Sequence, residues 1–190
     1  MLKALLEQQD KHLYLNLPQT HAGTVTFQIS TMSSAPELLC LNHGGPFEAY
    51  YLPWAEDAGL YLDLPATPTG TDPVIFLTDN LTGCCVGVQS FGGFVRVRHY
   101  NLATTQTHRP IFTNDDLFRY GTNVSWLLPS DKYNVNTVPR AAPYTHMGHG
   151  GGDAILWGEY VPRYWPFTSK WHFYYQNGNV DTTIHELDYQ

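Results

Sequence analysis

Apolar and polar positions alternate along this chain in short runs, and Gly, Pro, Asn or Asp closes a run every ten residues or so. Alternation of period two predicts strands over residues 24–30, 38–41, 49–54, 60–64, 74–78, 84–90 and 94–100, and again over 154–161, 170–176 and 182–187. A helical pattern is confined to residues 2–11, where Leu2, Leu5 and Leu6 share one side, and to two shorter stretches, 53–58 and 115–120, the latter behind an Asn114 cap. The spacing predicts two packed antiparallel sheets joined by long loops. The fold class is α+β and predominantly β: a two-layer sandwich of mixed or antiparallel sheets with a few peripheral helices. Residues 128–153, with Pro129, Pro139, Pro143 and a glycine cluster, are too long for a mere connection and read as a binding loop or a mobile one.

Composition sharpens this picture. Thirteen Tyr, nine Phe and five Trp against 14% charged residues favour half-buried pleated surfaces over helix faces. No charged linker, repeat or low-complexity run divides the 190 residues, so residues 1–190 read as one catalytic domain. Seventeen acidic and ten basic residues give a formal charge of −7, and no basic stripe offsets it, which argues against a nucleic-acid partner. No apolar run approaches a membrane span. The first residues begin like a signal peptide, but Glu7, Asp10 and Lys11 interrupt the apolar run, and a short amphipathic helix is the plainer reading. The cysteines, Cys40, Cys84 and Cys85, form no disulfide framework and no C-x-x-C pair. They suit a chain whose thiols stay reduced where it acts.

The most informative segment is residues 76–101, FLTDNLTGCCVGVQSFGGFVRVRHYN. Two alternating runs flank Phe-Gly-Gly-Phe, a two-residue hairpin signal. With Gly92 and Gly93 at the turn, Phe91 faces Phe94, Val86 lies opposite His99, and Cys84 becomes the diagonal neighbour of His99. Parity agrees: Cys84, Val86 and Val88 share one face with Val95, Val97 and His99, whereas Cys85, Gln89, Arg96 and Arg98 leave on the other. Diagonal partners lie about 7–8 Å apart at the backbone, within an imidazole's reach. A neighbouring imidazolium would stabilise the nucleophilic thiolate. Gly83 permits a sharp turn before Cys84 and leaves room for backbone amides to form an oxyanion hole. The plain alternative is that the thiols fill core space.

Leu81-Thr82-Gly83-Cys84 followed by His99 on a strand resembles the Leu-x-Gly-Cys … His signature of bacterial toxin glutamine deamidases. These are the catalytic domain of cytotoxic necrotizing factor and the single-domain Burkholderia lethal factor, the second being closer in size. The resemblance is carried by residues 74–101. It implies a β-sandwich core, Cys84 as nucleophile and His99 as general base and acid. It also implies that Thr78, six residues before the cysteine, orients the histidine through its backbone. No cofactor is implied. The family's substrates are single glutamines of host proteins, Rho-type GTPases in one branch and a translation-initiation RNA helicase in the other. A monomeric toxin or effector, secreted or injected without a classical signal peptide and acting in the host cytosol, is the expectation. Cys85 departs from the pattern, and chemotaxis receptor deamidases share the Cys–His layout. The resemblance thus names a chemistry more firmly than a target.

Other readings stay open beside this one. The same pair would serve a transglutaminase or a cysteine protease, and a β-sandwich binding module needs neither residue. His146, His149 and Asp153 could be read as a metal cluster, though glycine-rich surroundings and a missing fourth ligand favour a loop. His43-Gly44-Gly45-Pro46 reads as a turn, and His185-Glu186 as part of a half-exposed strand. Trp157, Trp165 and Trp171 with Tyr160, Tyr164, Tyr174 and Tyr175 read mostly as core. Asn80-Leu81-Thr82 and Asn123-Val124-Ser125 match the glycosylation pattern but carry no weight without a secretory route.

Overall fold

Residues 1–17, 21–55, 58–81, 84–101, 126–128, 154–162, 169–177 and 182–187 are described by a computed structural model. Among the described residues one helix, α1 (Leu2–Gln9), precedes twelve strands: β1 (His12–Asn16), β2 (Gly23–Met32), β3 (Ala35–His43), β4 (Phe47–Leu52), β5 (Ala58–Pro65), β6 (Ile75–Thr78), β7 (Cys85–Ser90), β8 (Phe94–Asn101), β9 (Trp126–Leu128), β10 (Ala154–Val161), β11 (Lys170–Asn177) and β12 (His185–Leu187). The strands form an eight-stranded sheet in the order β1-β3-β2-β4-β6-β10-β11-β12 and a four-stranded sheet in the order β5-β8-β7-β9. The fold is predominantly β, with one short helix among the described residues.

Alternation along the large sheet decides what each face meets. On β10, Leu156 points towards the small sheet, while Ile155 and Trp157 point towards α1. The inter-sheet core joins Leu52, Phe76, Leu156, Trp171 and Phe173 of the large sheet to Leu64, Val86, Val88, Val95 and Val97 of the small one. The outer core packs Leu2 and Leu6 of α1 with Leu13, Phe27, Tyr51, Leu77 and Trp157. Each fully buried side chain of this size is worth about 1.5–3 kcal/mol relative to exposure. Gly158 sits between Phe76 and Phe173 in register, and a Cβ there would stand 2.9 Å from the Phe173 ring and 3.2 Å from the Phe76 Cβ. Buried Gln176 ties the ends together: it accepts from the Leu13 amide at 2.9 Å and donates to the carbonyls of Lys11 at 2.9 Å and Thr182 at 3.0 Å.

Of the mixed and antiparallel arrangements expected, the large sheet takes the mixed one, because β1 runs parallel to β3 and β4 parallel to β6. The second parallel pair follows from the path of the chain: β5 crosses into the small sheet between β4 and β6, so the return strand re-enters in the same direction, as parallel pairing requires. The helix expected over residues 53–58 does not form in the described part of that stretch. Residues 53–55 are irregular, and Ala58 opens the long ladder of β5 with β8. Strands β1 and β9 were not expected; the alternation of buried Leu13 and Leu15 in β1 lies against the end of the helical pattern and was masked by it. The helix expected over 115–120, and residues 129–153, lie outside the described residues.

Candidate active site

The register of β7 and β8 is set by the hairpin closed at Gly92 and Gly93. Phe91 N donates to Phe94 O at 2.8 Å, and the two rings stack at 4.5 Å. Val86 then pairs with His99, Val88 with Val97 and Ser90 with Val95. Cys84 stands two residues before Val86, immediately ahead of β7, and joins the same inter-sheet core as Val86 and Val97. It is therefore the diagonal neighbour of His99. Cys40 and Cys84 are both outside any disulfide. Cys85 contributes its backbone to the ladder, opposite Tyr100. Gly83 and Thr82 lie outside the described residues, as do His146, His149 and Asp153.

From the facing sheet, the parallel pairing of β4 with β6 sets Leu52 beside Thr78. Thr78 points into the space between the sheets, where its Oγ1 lies 2.8 Å from the Leu52 carbonyl oxygen and 2.8 Å from Nδ1 of His99. A hydroxyl has one proton to give. Donated to Leu52, it leaves Thr78 Oγ1 as an acceptor, so Nδ1 must carry the imidazole hydrogen. The lone pair then resides on Nε2. That atom is buried and has no hydrogen-bond partner among the described residues. Thr78 thus reaches the ring through its hydroxyl, not through its backbone as the family pattern implied, because β6 presents a side chain rather than an edge to the second sheet.

Burial sets the charge of this ring. His99 is wholly buried, and desolvation pushes its pKa down from 6.5 to about 3. The resting imidazole is therefore neutral. A standing imidazolium beside Cys84, the arrangement the spacing suggested, conflicts with that burial. Cys84 is itself only 3% exposed.

Two outcomes are expected from this geometry. Thr78→Val removes the acceptor that Nδ1–H has among the described residues and should destabilise the fold by about 1–3 kcal/mol, the range for stranding a buried donor. If the pair is catalytic, activity should also fall about 10²-fold as the ring loses its aim, and Thr78→Ser should recover most of both. Urea unfolding and turnover of the two variants check this. The second outcome concerns pH. The unfolded chain protonates His99 near 6.5, whereas the folded chain resists until about 3. The His99 contribution to stability is thus fully present above 6.5 and is lost as pH falls towards 3, at about 1.4 kcal/mol per pH unit. Urea melts at pH 7, 6 and 5 should show this slope in wild type and not in His99→Gln.

Several backbone and side-chain groups around Thr78 lay outside the sequence reading. The Leu52 carbonyl is a backbone group, and only the parallel neighbour Thr78 reveals it. It accepts a second hydrogen bond, at 3.3 Å, from the amide of Asp79. The Asp79 carboxyl is half-buried and pushed up by desolvation, opposed by the Asn80 amide at 3.1 Å and by the Tyr51 hydroxyl and Trp54 amide directed at it. The Thr-Asp-Asn run closing β6 was the available signal, since Asp after a strand favours a local turn.

Elsewhere, His43-Gly44-Gly45-Pro46 forms the β3–β4 turn, with φ 79° at Gly44 and 139° at Gly45. His185 stacks on Tyr175 at 4.8 Å, and Glu186 meets His172 Nδ1 at 2.6 Å. Trp157, Trp171, Tyr160, Tyr174 and Tyr175 are core residues; Trp165 and Tyr164 lie outside the described residues. Among the described residues no group of three His, Cys, Asp or Glu could hold a metal ion, and no helix is long and apolar enough to cross a membrane.

Fold and site together define a two-sheet β protein with a thiol and a neutral imidazole at one end of its inter-sheet core. That arrangement of strands is similar to a solved structure, the C-terminal domain of CNFy from Yersinia pseudotuberculosis. The TM-score is 0.58 over 89% of this chain and 72% of that one, at 11% identity. A likeness at that identity is one of fold. No protein-family model matches the chain, and no curated protein matches it in sequence.

Proposed function

We propose that this chain is a protein-glutamine deamidase of the cytotoxic necrotizing factor type, acting through Cys84 and His99. The observation that carries the reading is the hydrogen-bond chain Leu52 C=O, Thr78 O–H, His99 Nδ1–H, which leaves Nε2 as a base on the face that Cys84 occupies. Agreement between the residues of the signature and the fold of the CNFy domain supports it from two independent sides.

In the proposed mechanism, His99 Nε2 takes the thiol proton while the Cys84 sulfur attacks the carboxamide carbon of a glutamine side chain. Backbone amides next to Cys84 in sequence would hold the developing oxyanion. The imidazolium then protonates the departing nitrogen, the C–N bond breaks, ammonia leaves, and a thioester with Cys84 remains. Water gives its proton to the same Nε2, attacks the thioester, and releases glutamate with the thiol restored. A neutral imidazole has a lone pair to accept a proton, and burial of the ring drives the imidazolium to return it. The substrate gains a negative charge, enough to break a local hydrogen bond in the target.

By the same resemblance we assign the substrate to a host protein, a translation-initiation RNA helicase or a Rho-type GTPase. The chain would act as a monomer in the host cytosol. It would need neither cofactor, nucleic acid nor membrane. Incubation with a glutamine-bearing protein, with and without a primary amine, tests the chemistry. Ammonia release without chain cleavage and without amine incorporation supports deamidation. Amine incorporation would make the enzyme a transglutaminase, and cleavage a protease.

A further inference from the structure

We propose that the outer face of the small sheet carries a docking site for an acidic protein segment, centred on Arg96 and independent of the Cys84–His99 pair. Leu60, Leu62 and Leu64 of β5 turn into the inter-sheet core, so Tyr61 and Asp63 point outward. Arg98 and Arg96 of β8 stand opposite them in register. The Arg96 guanidinium is the hub. Its Nε donates to Asp63 Oδ1 at 2.7 Å and its Nη2 to Asp63 Oδ2 at 2.8 Å. Its central carbon lies over the rings of Tyr61 at 4.3 Å, Phe94 at 5.4 Å and Phe91 at 5.6 Å. Arg98 lies over the same Tyr61 ring at 5.7 Å. The cluster nevertheless faces water: Tyr61 is 53% exposed and Phe91 36%.

Donor count and charge select the partner. A guanidinium presents N–H groups along a fixed fork, and Asp63 occupies its Nε–Nη2 side. Nη1 makes no hydrogen bond to a described residue, so the terminal Nη1–Nη2 edge is left for a second carboxylate in bidentate geometry. The formally charged residues of the four strands are Arg96, Arg98 and Asp63, a local excess of positive charge in a chain whose formal charge is −7. Exposed charges more than about 10 Å apart are screened at ordinary salt, so the local sign decides what docks. Tyr, Phe and Arg are also the residue types enriched in interfaces. Asp63 and the rings hold Arg96 in place before anything binds, so little rotamer freedom is lost on docking. Arg96 stands three residues, roughly 10 Å of strand, from His99 and points to the opposite face. A partner can therefore dock without touching the pair.

Fluorescence anisotropy on the full chain tests this, with a short labelled peptide of alternating Glu and Tyr and its counterpart with Gln in place of Glu. The acidic peptide is expected to bind saturably, about tenfold more tightly than the Gln peptide, and to weaken as salt is raised. Arg96→Met should abolish that preference, and Arg96→Lys, which keeps the charge but not the fork, should remove most of it. Tyr61→Ala strips an exposed ring and should weaken the acidic peptide by a similar factor. Urea unfolding of each variant shows whether the cluster only staples β5 to β8. No saturable binding of the acidic peptide, or equal affinity for the two peptides, overturns the proposal. So does a folded Arg96→Met protein that keeps the wild-type preference, whatever its stability. If neither Arg96 variant folds, Tyr61→Ala decides, and wild-type affinity in that variant overturns the proposal equally. Cys84→Ser should bind the acidic peptide as wild type does, so this surface and the deamidase reading fail separately.

Discussion

Replacing Cys84 with serine is expected to lower glutamine deamidation by about 10⁴-fold or more, the scale seen when a nucleophile is removed from residues that act as a unit. Serine is close in shape to cysteine, and the site is a corner of the inter-sheet core lined by Val86 and Val97. The fold should therefore persist with a shift of about 1–3 kcal/mol, the penalty for burying a hydroxyl where a thiol sat. The hydroxyl holds its proton far more tightly than a thiol does, and a neutral His99 is too weak a base to remove it at a useful rate. Ammonia release by wild type and Cys84→Ser, with matched unfolding curves, measures this. Retained turnover in a folded Cys84→Ser protein would remove the thioester from the mechanism.

His99→Gln is the second large effect. Glutamine can keep a hydrogen bond to Thr78 but cannot shuttle a proton, so activity should fall about 10³–10⁴-fold, the upper part of the range for losing a general base. Alkylation of Cys84 should slow with it, whereas that of buried Cys40, on β3 of the large sheet, should not change. The variant also lacks the acid-side loss of stability that wild-type His99 brings. Its urea resistance relative to wild type should therefore be higher at pH 5 than at pH 7, although turnover is lost at both. A relative gain at acid pH with a catalytic loss everywhere is the signature of a buried neutral base rather than of a packing residue.

The half of the site that lies on one hairpin was legible in the sequence. Phe-Gly-Gly-Phe fixes a turn, a turn fixes a register, and a register with period two fixes which side chains share a face; Val86 opposite His99 follows by counting. The strands themselves were legible for the same reason, since half-buried pleats imprint alternation. The other half comes from β4 and β6, adjacent in space but separated in the chain by β5 in another sheet. Parallel pairing leaves no turn signal, so neither the Leu52 carbonyl nor the side-chain route from Thr78 to His99 could be counted out. Burial was likewise invisible: alternation puts His99 on the inner face but does not say that a second sheet closes over it. That closure is what turns an expected imidazolium into a neutral ring.

The most direct measurement is peptide mass spectrometry on host-cell lysate treated with wild type or with Cys84→Ser. The account predicts an amide-to-acid change at one glutamine of one protein, present with wild type and absent with the variant. A lysate with no glutamine converted by wild type, or with the same glutamine converted by both proteins, would contradict it.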